Sequence, residues 1–291
     1  MRPAMRKLVP ALLLAAAVPA TAEPLEVLPT GHPVAQVRLG DRGPYRFVID
    51  TAASNTSLLP RLADQLPELR RDAADAPLNA ASGRTTTQIA KLPRFVAHGR
   101  TFRDLPAFLL PAGPVDALGV DGVLGADVVS TYALEIDAPG RRWSLLDAPT
   151  PTMLRGTLPP VPFTLDAARA PRVTVMLNGK PVPAILDTGA RATFVNWAAA
   201  RLAGVTPDTP GLSSGGEAKG VSRHATPTAS TTFEVAVGEY QRPAAKVRIA
   251  DLPIFALVGM GNGPAMILGI DAFADRRIVI DHPRGQLHIA R

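Results

Sequence analysis

The chain has 291 residues, 46% of them hydrophobic and 19% charged, with a formal net charge of +6. This length suffices for one large domain or two smaller ones, and the absence of cysteine excludes disulfides, thiolate chemistry and a lipid anchor on cysteine. The basic residues are scattered, without a dense patch or interleaved aromatics, so nucleic acid is not expected as a partner.

Residues 1–22 read as a secretion signal. Arg2, Arg6 and Lys7 form its positive end, Leu8 to Ala20 is apolar, and Ala20-Thr21-Ala22 fits a small-residue cleavage site. The apolar run is shorter than the ~20 residues a spanning helix needs, so stable membrane insertion is not expected, although a retained anchor stays open as the alternative. Export without cysteine suits a bacterial periplasm. The 24 glycines and 30 prolines point to many turns and short strands rather than long helices.

From Glu23 onward the elements come in two series. Val34 to Leu39 alternates with period two, and Asp41-Arg42-Gly43 reads as a turn into the apolar strand that ends Phe47-Val48-Ile49-Asp50-Thr51-Ala52-Ala53-Ser54. A short helix is predicted over Pro60–Leu69. A polar, turn-rich stretch follows at Asn79 to Arg84, containing Ser82 and Gly83. Phe95 to Phe102 reads as a hairpin about Gly99. Then come Gly122-Val123-Leu124-Gly125-Ala126-Asp127, Leu134-Glu135-Ile136-Asp137 and a short strand, Trp143 to Leu146.

The series then repeats. Val173 to Leu177 leads through the turn Asn178-Gly179-Lys180 into Ala184-Ile185-Leu186-Asp187-Thr188-Gly189-Ala190-Arg191. A helix over Asn196–Ala203 stops at Gly204. Glu217 to Ser222 is the second polar stretch, with Lys219 and Gly220, and Phe233 to Tyr240 is the second hairpin. Met266-Ile267-Leu268-Gly269-Ile270-Asp271, Ile278-Val279-Ile280-Asp281 and the strand Gln286 to Ala290 complete it. Gly83 and Gly220 each lie 33 residues beyond their aspartate, and the last two apolar blocks start 12 residues apart in both halves. Four matched blocks in one order imply an internal duplication. The chain divides into a first lobe at 23–146, a proline-rich linker at 147–162 expected to be extended and semi-rigid, and a second lobe at 163–291.

These landmarks resemble the retropepsin-like and pepsin-like aspartic proteases. The carriers are the apolar-apolar-Asp-Thr loop at Asp50 and Asp187, the glycine-bearing stretch, and the later apolar-apolar-Gly. Asp121 to Gly125 is close to the pepsin-like form, while Ala190 after Gly189 is more retroviral or bacterial in style. The resemblance spans nearly the whole mature chain. It implies an all-β fold of two homologous β-barrel lobes related by a pseudo-twofold axis, with a few short helices. It also implies an aspartic endopeptidase that cleaves peptides or proteins, and the linker joining two complete lobes implies a monomer. Asp50 and Asp187 would share one proton and activate a water molecule. Thr51 and Thr188 would cross-link the two loops, and Ala52 and Gly189 would support the dyad. Ser82, Gly83, Lys219 and Gly220 would lie in substrate-covering flaps. Gly125 and Gly269 would let the backbone pass behind the aspartates. Ala52 departs from the family's glycine, Arg191 departs from Ser54 of the first lobe, and the first flap has no tyrosine. A catalytically inactive peptide-binding protein of the same fold is therefore the alternative.

Other groups carry less. The five histidines, His32, His98, His224, His282 and His288, lack metal-ligand spacing and are expected at the surface, with His224 near the second flap, where it could touch substrate. Gly259 to Gly263 runs into Pro264 instead of a helix with Lys and Ser or Thr, so no phosphate loop is expected. No Gly-x-Ser-x-Gly elbow exists. Neither a metal nor an organic cofactor is expected. Asp127 and Asp271 are expected to cap helices, and Trp143 and Trp197 to fill the lobe cores.

Overall fold

The computed structural model describes residues 21–67, 69–72, 75–80, 83–220 and 225–291. Apart from Thr21 and Ala22, the expected secretion signal lies outside the described residues.

The period-two patterns become barrel strands. Pro33–Leu39 buries Val34, Ala35, Val37 and Leu39 and exposes Gln36 and Arg38. Pro171–Leu177 buries Val173, Val175 and Leu177 and exposes Thr174 and Met176. Each buried aliphatic side chain contributes about 1.5–3 kcal/mol. In the first half the strands Pro33–Leu39, Arg42–Ile49, Gly122–Leu124, Ser57–Leu58, Arg100–Leu109 and Ile89–Ala97 lie side by side in that order. Pairing of Val37–Leu39 with Phe95–Ala97 closes the circuit into a six-stranded barrel. The second half repeats it with Pro171–Leu177, Lys180–Asp187, Met266–Gly269, Phe194–Val195, Tyr240–Ile249 and Ala225–Val237, closed by Met176–Leu177 against Val235–Ala236.

A third sheet joins the barrels. Its order is Glu23–Pro24, Arg142–Leu146, Ala133–Asp137, Arg277–Asp281, Gln286–Ile289 and Val161–Pro162. The blocks read as repeats of one another pair directly, Leu134 with Ile280 and Ile136 with Ile278. Glu135 faces Val279, its own counterpart in the repeat, so the pseudo-twofold axis passes through that pair. Leu134, Ile136, Trp143, Ile278, Ile280 and Leu287 are all fully buried, and one apolar core runs from barrel to barrel through this sheet.

Several elements differ from the sequence reading. The first turn is Gly40-Asp41, and Gly43 lies inside the following strand. The first helix is only Pro60–Asp64, because Pro67 disfavours helical geometry at Leu66. The second matches closely as Trp197–Leu202, capped by Asn196, whose Oδ1 accepts the Ala199 N–H at 2.9 Å. Residues 147–162 are not simply extended. They hold the short helix Pro151–Leu154, capped by Thr150, and the edge strand Val161–Pro162. Trp143 is a core residue, and Trp197 is partly buried against the same core.

The histidines depart most. His32, His98, His282 and His288 are all buried, while His224 lies outside the described residues. His98 packs edge-on against Trp143, at 5.2 Å between ring centroids. His282 places Nδ1 2.9 Å from the Tyr132 carbonyl oxygen, and burial, the largest influence, lowers its pKa from 6.5 to about 4. The unfolded chain therefore binds a proton that the folded chain refuses between those values. Stability from this residue is complete above pH 6.5 and is lost as pH falls toward 4, by on the order of 3 kcal/mol. A His282→Gln protein should show a shallower loss of stability over that interval in denaturant titrations. A slope identical to the wild type's would remove His282 as the cause.

Candidate active site

The strands Arg42–Ile49 and Lys180–Asp187 each run parallel to a short central strand, Gly122–Leu124 and Met266–Gly269. That pairing delivers Asp50 and Asp187 to the pseudo-twofold axis. Behind each loop two backbone segments cross. A Cβ on Gly125 would lie 2.5 Å from the Asn55 carbonyl carbon, and one on Gly269 2.7 Å from that of Ala192, so both positions require glycine.

Asp127 and Asp271 are not helix caps. Asp127 Oδ1 accepts from the Thr56 hydroxyl at 2.8 Å and the Thr56 N–H at 2.9 Å, and Asp271 Oδ1 accepts from the Thr193 hydroxyl at 2.8 Å. The same threonine oxygens accept the N–H groups of Gly125 and Gly269, each at 3.2 Å. Each aspartate loop is thus tied to the crossing beneath it. The sequence reading missed Thr56 and Thr193, which lie at the same offset from the two aspartates.

Thr51 and Thr188 are fully buried and interlock the lobes. The Thr51 hydroxyl donates to the Leu186 carbonyl at 2.7 Å and accepts the Thr188 N–H at 3.2 Å. The Thr188 hydroxyl donates to the Ile49 carbonyl at 2.8 Å and accepts the Thr51 N–H at 3.1 Å. Thr51→Val would leave a buried N–H and a buried carbonyl unpaired, for a loss of about 2–4 kcal/mol, whereas Thr51→Ser keeps both bonds and should lose about 1. Chemical denaturation of the two variants checks this, and a Val variant as stable as the Ser variant would refute it.

Above this lock each carboxylate is held by its own loop. Asp50 Oδ1 accepts the N–H groups of Ala52 and Ala53, both at 2.9 Å. Asp187 Oδ1 accepts those of Gly189 and Ala190, also at 2.9 Å. The two side chains are close enough to hydrogen-bond to each other. Both keep an opening to solvent, yet protein surrounds them densely enough that desolvation is the largest push on their acidity. Asp50 is raised, the N–H groups of Ala52 and Ala53 opposing the rise. Asp187 is raised well above the ordinary range, first by desolvation and then by the Asp50 charge. Both carboxylates are thus raised, and the pair titrates as a unit that shares one proton.

The flap positions fall on two hairpins. Ala76–Ala80 pairs with Gly83–Thr87, and Ser213–Lys219 pairs with the start of Ala225–Val237. Gly83 opens its strand and Gly220 directly follows Lys219, while Ser82 lies outside the described residues. Each hairpin reaches toward the opposite lobe. The first packs against the second-lobe helix Pro253–Leu257. Lys219 of the second borders a crevice of about 440 Å³ with first-lobe Ala112, Gly113, Pro114 and Asp116. Apolar clusters flank the aspartates. Ala53, Phe108, Val115 and Leu118 rest on one, and Ala190, Phe194, Ile254 and Met260 on the other.

Further contacts cross between the lobes. Second-lobe Arg169 donates to the Ser54 carbonyl at 3.0 Å. First-lobe His32 lies within hydrogen-bonding reach of the Gly189 backbone, and burial, followed by the charge of Arg191, lowers its pKa.

Two closed barrels, one shared sheet and a pair of interlocked aspartate loops define a two-lobed acid-protease architecture. A family model described as aspartyl protease matches the chain twice, at residues 35–128 and 173–272. The chain belongs to the aspartyl protease family, with one match and one aspartate loop in each half. A comparison with curated proteins returned no match.

Proposed function

We propose that the protein is an aspartic endopeptidase that hydrolyses peptide bonds through a water molecule activated by Asp50 and Asp187. The observation that carries this reading is the matched pair of carboxylates, each gripped on one oxygen by two backbone N–H groups, with desolvation raising both. Ionised Asp50 takes a proton from water, which attacks the scissile carbonyl carbon. Protonated Asp187 donates to the carbonyl oxygen as it gains charge. The proton held by Asp50 then passes to the leaving nitrogen, the C–N bond breaks, and the diol hydroxyl returns a proton to Asp187.

The apolar flanks favour apolar residues beside the cut, and the two hairpins roof the cleft. The amino-terminal signal read from the sequence supports export to a bacterial periplasm, and two complete lobes on one chain support action as a monomer. Ala52 counts against the inactive alternative, because its N–H grips Asp50 at the same 2.9 Å as that of Gly189 grips Asp187. The test is incubation of the mature protein with a mixed peptide library, read by mass spectrometry beside the Asp187→Asn variant. New termini from the wild type alone support the proposal. No new termini at any pH from acid to neutral would overturn it.

A further inference from the structure

The duplication gives each position in one lobe a counterpart in the other, so chemical differences between counterparts stand out. Asp50 and Asp187 differ by 137 in number, and the same offset relates Ser54 to Arg191 and Ser57 to Phe194. Pairing supplies a second correspondence. Ser57 pairs with Phe108 in the first barrel, and Phe194 pairs with Arg248 in the second. The neighbouring bonds agree, since the N–H of Phe108 donates to the Thr56 carbonyl and that of Arg248 to the Thr193 carbonyl, both at 3.0 Å. At equivalent places flanking the dyad, one lobe therefore presents serine and phenylalanine and the other presents two arginines.

Among the described residues, neither arginine forms an ion pair. Arg191 is exposed and forms no ion pair among the described residues. Arg248 is half-buried, with its guanidinium 5.7 Å from the centre of the Phe194 ring. It reaches toward the Glu217 carbonyl at 3.5 Å, while the Glu217 carboxylate is engaged by Lys219 at 3.1 Å. The acid within its field, Asp271, is buried and already accepts from Thr193. The two guanidinium groups lie close enough to repel each other, and His32 faces Arg191 from the other lobe. Two arginines at counterpart positions beside the dyad, neither ion-paired with an acid among the described residues, suit a ligand that supplies the negative charge.

We infer that Arg191 and Arg248 form a carboxylate-selective subsite at the second-lobe end of the cleft, taking an Asp or Glu side chain of the substrate on one side of the scissile bond only. The inference rests on the peptide-substrate reading above. It gives a nearly symmetric cleft a direction, because the counterpart subsite around Ser54 and Phe108 has one cation, Arg169, already donating to the Ser54 carbonyl, against two arginines on the second-lobe side. Arg191 and Arg248 act here as specificity-determining residues, with no part in the bond-breaking steps.

The experiment separates this inference from the protease reading. A single Glu is walked along an otherwise neutral, apolar-centred peptide, with Gln as the control at each position. Binding is measured by fluorescence polarisation to the Asp187→Asn protein, and cleavage is measured with the wild type. The Glu peptide should bind roughly 3- to 10-fold more tightly than its Gln partner at one position only. That ratio should fall toward one when Arg191→Ser is added, and it should shrink as salt rises. The thermal midpoint of the Arg191→Ser protein should match its parent, which checks that the fold is retained. A ratio that persists without Arg191, or equal binding of Glu and Gln peptides throughout, overturns the subsite even if the wild type cleaves them. A clear ratio with no cleavage by the wild type keeps the subsite and overturns the protease reading.

Discussion

Asp50→Asn and Asp187→Asn proteins are expected to lose peptide hydrolysis by roughly 10³-fold or more while folding normally and gaining stability near neutral pH. The loss follows from the division of labour, since an amide can neither take the proton from water nor give one to the carbonyl oxygen. The gain follows from the electrostatics. Burial and the Asp50 charge raise the pKa of Asp187 well above 3.8, so the folded chain holds a proton that the unfolded chain releases. Stability from that proton is complete below pH 3.8 and is lost as pH rises through the raised folded value. Asparagine does not titrate. Its Oδ1 can still accept the N–H groups of Gly189 and Ala190, and its amide can donate to Asp50. The variant should therefore lack this decline with rising pH, which denaturant titrations across the range can read. The slope is opposite in sign to that of His282, whose contribution rises between pH 4 and 6.5, so the wild-type profile mixes the two and only single variants separate them. An Asp187→Asn protein that cleaves at the wild-type rate, or that follows the wild-type stability profile, would sink this account of the dyad.

How far the sequence carries this site depends on the distance over which each feature is determined. The aspartates, their threonines and the crossing glycines are legible because a local loop makes them and the duplication prints that loop twice. The paired blocks at Leu134 and Ile278 are visible as repeats, but their pairing across the axis is not, because strand pairing between lobes leaves no trace in local periodicity. The first helix falls short of its expected end because Pro67 restricts Leu66. The histidines elude a sequence reading because a place in a turn does not fix exposure. His32 and His282 sit at strand ends that the opposite lobe or the shared sheet then covers. Arg169 reaching Ser54 and His32 reaching Gly189 arise only once the lobes dock. The Thr56–Asp127 and Thr193–Asp271 ties are open to discovery, since both pairs recur in the repeat, but a hydroxyl and a carboxylate so far apart carry no local signal.

From aspartate to the fourth residue, Asp50–Ala53 and Asp187–Ala190, the two loops differ only at Ala52 against Gly189, and that difference sets the second large effect. Gly189→Ala is expected to reduce hydrolysis by about 10²-fold, the scale associated with displacing a reacting group by about 1 Å. The backbone of Gly189 is not left-handed, so the conflict is one of space. A Cβ there would lie 2.3 Å from both Cγ and Oδ2 of Asp50 and 2.9 Å from its Cβ. The Asp50 carboxylate would have to swing away, yet its other oxygen is fixed by the N–H groups of Ala52 and Ala53. Either that grip breaks or the dyad widens. At the counterpart position the chain already carries the methyl of Ala52, and Asp187 still keeps both of its N–H donors at 2.9 Å. The first-lobe loop therefore accommodates a side chain that the second-lobe loop excludes. Ala52→Gly should then change hydrolysis little and lower stability by only about 0.5–1 kcal/mol, through the greater freedom of glycine in the unfolded chain. The contrast is read from kcat/KM on one peptide together with the pH profile of each variant, where a widened dyad would let Asp187 titrate closer to an ordinary carboxylate. Equal effects of the two substitutions would mean that Asp50 does not rest against Gly189 in solution, and with that contact would go the asymmetry assigned to the pair.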